Sequence, residues 1–235
     1  MAHTAEQLGR RSRHHRRRSP LALPLVLCVG LALLAVGSIA YVLWPRWPEP
    51  VAVNAPSMPI TIAGVTFNVP PAAMRVPVQR RPGTQERIDL AYLWPALTPP
   101  EPAVKGASPA AQGDRIFITV AGTSGMLPSA ERLKVIYPRY AATEPIVRAD
   151  GLAGYSFRDG TPYQGEDLFY DNGEPERFLV RCTRTLGASP GSCLQERRIG
   201  SADLTFRFPR DWLADWRDVV RGIDQLIAGL RPSGG

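Results

Sequence analysis

Apolar residues recur along this chain with three different spacings, and each spacing predicts a different element. From Leu21 to Trp44 they are nearly continuous, and no charged side chain falls between Arg18 and Arg46. About 24 residues at 1.5 Å rise span roughly 36 Å, enough to cross a hydrocarbon core of about 30 Å with some tilt. Tyr41, Trp44 and Trp47 cluster at the far end, where amphipathic rings favour the headgroup layer.

Beyond Pro59 the spacing falls to two. Ile60 and Ile62 alternate with smaller or polar residues, as do Val65, Phe67 and Val69, with Ala63-Gly64 between them. This is the pattern of a half-buried strand pair. Strands are likewise expected at 88–95 and 115–120, then as a meander at 152–158, 166–171, 176–184, 192–199 and 202–208. Asn172-Gly173 suits a type I′ hairpin turn. A short helix is expected after Pro128, with Leu133, Ile136, Tyr137 and Tyr140 at helical spacing and Pro138 ending or kinking it.

The third spacing is 3.6. Trp212, Trp216, Val219, Val220, Ile223, Leu226, Ile227 and Leu230 form one stripe, with Asp215, Asp218, Arg221 and Asp224 largely off it. The pattern predicts an amphipathic helix from Pro209 to Pro232 that covers one face of the sheet. The expected fold class is therefore α+β. A basic tail (1–20) precedes a transmembrane helix (21–44), a Pro-rich linker (45–59) and an antiparallel-sheet domain (60–231) of six to eight strands.

Charge sharpens this picture. The chain carries a formal net charge of +7. Residues 1–18 hold six arginines and one glutamate, so +5 sits beside the apolar segment and only +2 is left for everything after it. Arginines flanking a span hold that end in the cytoplasm. The expected location is the bacterial inner membrane, with the N-terminus cytoplasmic and the C-terminal domain periplasmic. A nearly balanced domain is a poor match to nucleic acid, which calls for a concentrated basic surface. A cleaved signal peptide is the rival, with Ser38-Ile39-Ala40 as the cleavage site, but the apolar run is longer than a signal core and continues past it. The expected partners are the lipid bilayer through residues 21–44, and an unknown envelope protein or anionic ligand.

Candidate chemistry is sparse. His3, His14 and His15 are the only histidines, and all precede the apolar segment. The domain after it can build no Ser-His-Asp triad and no histidine-ligated metal site. Gly187-Ala188-Ser189-Pro190-Gly191 matches the spacing of a nucleophile elbow but lies in a short turn, without the strand and helix that motif requires. No phosphate loop, dinucleotide fingerprint, zinc spacing or haem motif occurs, so no cofactor and no metal is expected. Cys182 and Cys193, a pair on the translocated side, are expected to form a disulfide.

Two charged groups remain. Glu166, Asp167, Asp171, Glu174 and Glu176 form an acidic patch that offers either a solvated hairpin or the carboxylates of a hydrolase acting on envelope glycans. Arg177, Arg181, Arg184, Arg197, Arg198 and Arg207 gather if 176–184 pairs with 192–199. Arg181, Arg184, Arg197 and Arg198 are the candidate partner-binding surface, against the alternative that they pair with nearby glutamates. The leading functional reading is a non-enzymatic binding or assembly module. The alternatives are the carboxylate-dependent hydrolase and a membrane-tethered small-ligand binder with Trp94, Trp212 or Trp216 lining its pocket.

Overall fold

A computed structural model describes residues 22–43, 51–101, 114–123, 125, 127–148, 150–184 and 191–232. The basic tail, Trp44, Trp47, residues 102–113 and the Ser189 turn lie outside the described residues. The chain divides into two units, Met1–Pro48 and Glu49–Gly235.

The described residues of the first unit form one helix, α1 (Ala22–Leu43). Pro24–Leu43 is long and apolar enough to cross a membrane. Its large side chains, among them Leu33, Leu34, Ile39 and Val42, are exposed. The hydroxyl of Ser38 donates to the Leu34 carbonyl at 2.8 Å, so this polar group is satisfied within the helix.

The second unit is α+β and contains two sheets. In the smaller, β1 (Met58–Ile62) lies between β2 (Val65–Val69), antiparallel to it, and β3 (Gly83–Gln85), parallel to it. Ala63 and Gly64 make the β1–β2 turn, both with φ above zero. The larger sheet has eight antiparallel strands in the order β4-β5-β11-β10-β9-β8-β7-β6. They are β4 (Arg87–Leu93), β5 (Arg115–Gly122), β6 (Ala141–Val147), β7 (Leu152–Phe157), β8 (Glu166–Asp171), β9 (Leu179–Thr183), β10 (Ser192–Ile199) and β11 (Ala202–Pro209).

Alternation sorts these strands into two faces. On the inner face, Ile88, Leu90, Ile116, Ile118, Val120, Leu204 and Phe206 are at most 1% exposed. The C-terminal helix α3 (Trp216–Leu230) covers them with Trp216, Val219, Val220, Ile223, Leu226 and Leu230. The small sheet joins the same core through Ile60, Ile62, Phe67 and Val69. On the outer face, α2 (Ser129–Val135) and the 3-10 turn Tyr137–Arg139 lead into a second, smaller cluster of Tyr137, Phe157, Leu168 and Leu179.

Three expectations are corrected. Residues 210–215 form a 3-10 turn rather than the first turns of the α-helix. This winding sets Leu213 and Trp216 three positions apart on one line, and both are buried. Asn172-Gly173 does not make a two-residue type I′ turn. The amide of Asp171 bonds the carbonyl of Phe178, and the chain between forms a longer loop. Neither Asn172 nor Gly173 has the positive φ that a type I′ turn demands. The loop is instead pinned from β10, where Gln195 donates to the Arg177 carbonyl at 3.0 Å and Arg197 to that of Glu176 at 3.1 Å. The strand expected at 176–184 accordingly shortens to Leu179–Thr183.

Candidate functional site

Cys182 and Cys193 are register partners on β9 and β10 and form a disulfide, fully buried on the inner face. Beside it stands Asp167, the register partner of Cys182 on β8 and only 4% exposed. Its carboxylate accepts from Ser156 Oγ at 2.8 Å, Arg184 Nε at 2.9 Å and Arg210 at 2.5 Å. Arg210 also donates to the Thr183 carbonyl, and Arg184 to that of Phe157. Burial works to raise the Asp167 pKa, but hydrogen bonds from Arg184, Ser156 and Arg210 outweigh it and hold the carboxyl below its ordinary value. The corner therefore ties β7, β8, β9 and the lead-in to α3 around one buried charge.

The four candidate arginines do not converge on one surface. Arg181 and Arg198 point to the outer face, whereas Arg197 points inward. Arg184, one residue past β9, turns back to Asp167. Each is paired with a carboxylate: Arg181 with Glu166 at 2.9 Å, Arg184 with Asp167, Arg197 with Asp224 at 3.6 Å, and Arg198 with Asp203 at 2.6 Å. The guanidinium of Arg181 also lies 5.2 Å from the centre of the Tyr163 ring. Burial lowers the pKa of Arg197, and Asp224 offsets this only in part.

The acidic patch is similarly engaged. Glu166 and Asp167 are held by arginines, and Asp171 caps the Gly173 amide at 2.9 Å. Glu174 lies 4.0 Å from Arg177. Among the described residues, no group of three or more His, Cys, Asp or Glu side chains is placed to hold a metal ion. The tryptophans fill the helix–sheet contact. Trp94 stacks on Trp212 at 4.7 Å and Trp216 on Phe178 at 5.3 Å. A Cβ added at Gly222 would lie 2.4 Å from Trp94, so this glycine makes room for the ring.

A half-open cleft of about 400 Å³ runs between the start of α2 and the C-terminal half of β10. Glu131, Arg132, Glu176, Glu196, Arg197, Arg198 and Asp203 line it, so it brings two of the four candidate arginines together among charges of both signs. Arg132, 5% exposed, pairs with Glu196 and had no sequence signal beyond its place in a short helix.

The outer face differs from end to end. Over β7–β9 it carries α2 and a group of tyrosines. Burial and the neighbouring Tyr170 push the Tyr155 pKa up to about 12, and the two rings lie 5.8 Å apart. Over β4, β5, β11 and β10 the described helices meet only its margins: α2 reaches β10 through Arg132 and Glu196, and the 3-10 turn Pro77–Gln79 meets β4, where Gln79 donates to Asp89 at 3.2 Å. Register places Ala91, Phe117, Arg207 and Leu194 in one row across those four strands. Phe117 is half-buried, and the guanidinium of Arg75 lies 4.6 Å from its ring centre. Arg115, Thr119 and Asp89 extend this surface along β5 and β4. Asp89 is bonded by Arg87 at 2.7 Å and by Thr119 at 2.8 Å. Burial opposes its charge, but these bonds and one from Gln79 hold its pKa below the usual carboxylate value.

No known family model matches the sequence. No curated protein matches it either. Among solved structures, the fold is similar to that of an immunity protein of the Stenotrophomonas maltophilia type IV secretion system. The TM-score is 0.53 at 13% identity, over 80% of this chain and 100% of that one. The iron-regulated outer membrane lipoprotein FrpD of Neisseria meningitidis matches at a TM-score of 0.41 and 12% identity, over 77% and 97% of the two chains. At this identity the first likeness concerns the fold.

Proposed function

We propose that this chain is a membrane-anchored binding module of the cell envelope. The helix α1 holds it in the inner membrane with the arginine-rich tail in the cytoplasm. The α+β unit faces the periplasm and binds a protein partner there. The observation that carries this reading is the exposed apolar helix joined to a unit that closes a buried disulfide. The first needs a lipid environment and the second an oxidising compartment. A binding role agrees with the state of the acidic patch, whose most buried carboxylate is locked ionised between two arginines and is not poised to hold a proton. Protection against a secreted protein, by analogy with the immunity protein that shares the fold, is the first role to test.

The test uses the full-length protein in its own membrane. After a carbonate wash it should stay in the pellet. In spheroplasts, external protease should remove the α+β unit and spare the tail. Crosslinking and affinity capture should then enrich an envelope or exported protein over an anchor-only control. Release of a mature form beginning near Tyr41 would refute the anchor, and no enrichment over the control would refute the binding role.

A further inference from the structure

We propose that the open half of the outer sheet face, centred on Phe117, docks an acidic segment of a protein partner through Arg75, Arg115 and Arg207. This rests on the reading of the chain as an envelope binding module, and it adds the face and the chemistry of what is bound.

Charge accounting on that half-face carries the argument. Its outward strand positions, with Arg75 and with Arg132 reaching in from α2, hold six arginines: 75, 87, 115, 132, 198 and 207. The strands hold three carboxylates, each with an arginine, and Glu131 of α2 adds a fourth on the side of Arg198. Asp89 bonds Arg87, Glu196 bonds Arg132 and Asp203 bonds Arg198. Arg75, Arg115 and Arg207 have no carboxylate within 4.0 Å among the described residues. The segments 102–113 and 185–190 contain no aspartate or glutamate, and the other residues outside the described ones contain only Glu6 and Glu49.

Phe117 lies at the middle of this group by register. Arg207 is the register partner of Phe117. Arg115 stands two positions along β5 on the same face, roughly 7 Å away at strand rise. Arg75 lies over the ring. A guanidinium stays charged at any physiological pH, so three of them around one aromatic ring repel each other until a counter-charge arrives. The fork of each matches a carboxylate in bidentate geometry. The centre they enclose is apolar, with Phe117 between Ala91 and the row leading to Leu194. An aromatic and apolar centre with arginines around it is the anatomy of a protein-binding patch. A single cluster of three cations does not make the extended track that a nucleic-acid backbone needs.

The full-length protein in phosphatidylcholine nanodiscs is titrated with fluorescent poly-L-glutamate, with poly-L-lysine as the sign control. The proposal expects binding of the first alone. The combined variant R75Q/R115Q/R207Q should weaken it about tenfold or more, as loss of complementary charge does. The combined variant R81Q/R139Q/R231Q removes the same charge from exposed arginines elsewhere and should leave the affinity within about twofold. Equal losses in the two variants would overturn the proposal. So would dependence on the three arginines for binding phosphatidylglycerol vesicles but not poly-L-glutamate. In cells, a photocrosslinking residue at position 117 should mark a partner segment rich in Asp and Glu, and a segment without them would overturn the proposal. If capture succeeds while the R75Q/R115Q/R207Q variant retains the same partner unchanged, this face is wrong and the binding role stands.

Discussion

On the face of the large sheet beneath α3, strands and helix meet through side chains that are almost wholly withdrawn from water. On the opposite face, half of the surface is closed by a short helix and a tyrosine cluster, and half is left to charged side chains. The inner face obtains its order from buried apolar area, which is non-directional and tolerates few voids. The charged half of the outer face obtains its order mainly from ion pairs in contact with water, which contribute little to stability and constrain surface geometry instead. The same strands supply both faces, so their alternation lets one face hold the fold while the charged half of the other is free to vary.

Four substitutions sharpen this contrast. The largest effect is expected at Asp167, where the inner face is closed by charge. Asp167→Asn leaves two guanidiniums around a neutral amide and should cost about 3–5 kcal/mol in urea unfolding at neutral pH. The sign with pH follows from the depressed pKa. The stabilisation is complete above the unfolded carboxyl value of about 3.9 and is lost as pH falls through the lower folded value. The gap between wild type and variant should therefore narrow only in acid. A gap that is independent of pH down to strongly acidic conditions would show that Asp167 acts through packing.

Ile223→Ala, in the middle of the α3 stripe, should cost about 2–5 kcal/mol. Replacing both Cys182 and Cys193 by alanine should cost about 3 kcal/mol from the short loop they close, less any strain relieved. Thiol labelling without reductant should find neither cysteine free in the wild type. The smallest effect belongs to the outer face. Asp203→Asn breaks the exposed pair with Arg198 and should change stability by less than about 1 kcal/mol. A comparable loss at Asp203 and Ile223 would erase the distinction between the faces.

Elements with strong periodicity were legible from the sequence. The β1–β2 pair, β4, β5 and the meander from β7 to β11 lie within a few residues of the spans their alternation predicts, and the α3 stripe marks the helix that covers them. Two strands left no such signal. β6 contains Pro145 and is largely exposed, so neither alternation nor propensity marks it, and only pairing with β7 makes it a strand. β3 is three residues long and exists through its parallel register with β1. The disulfide was legible because two cysteines after the apolar segment, with no histidine beside them, leave few alternatives. The placement of the arginines was not legible because neighbours in sequence alternate between faces. Arg197 and Arg198 point to opposite sides of the sheet. Arg75, far away in the chain, lies over the ring of Phe117, whose register partner is Arg207 and whose strand also carries Arg115.

By itself the sequence determined the apolar segment and its flanking charge, the strand and helix periods, and the lack of histidine after residue 15. These depend only on local order, because length, spacing and composition set what can span a membrane, what can alternate and what chemistry is available. The tertiary structure decided which carboxylate neutralises which arginine. It also decided that Asp167 is buried, and that Arg75, Arg115 and Arg207 have no carboxylate within 4.0 Å among the described residues. Those outcomes depend on strand order and register, which bring residues from distant parts of the chain within a few ångströms. No pattern confined to one element records them.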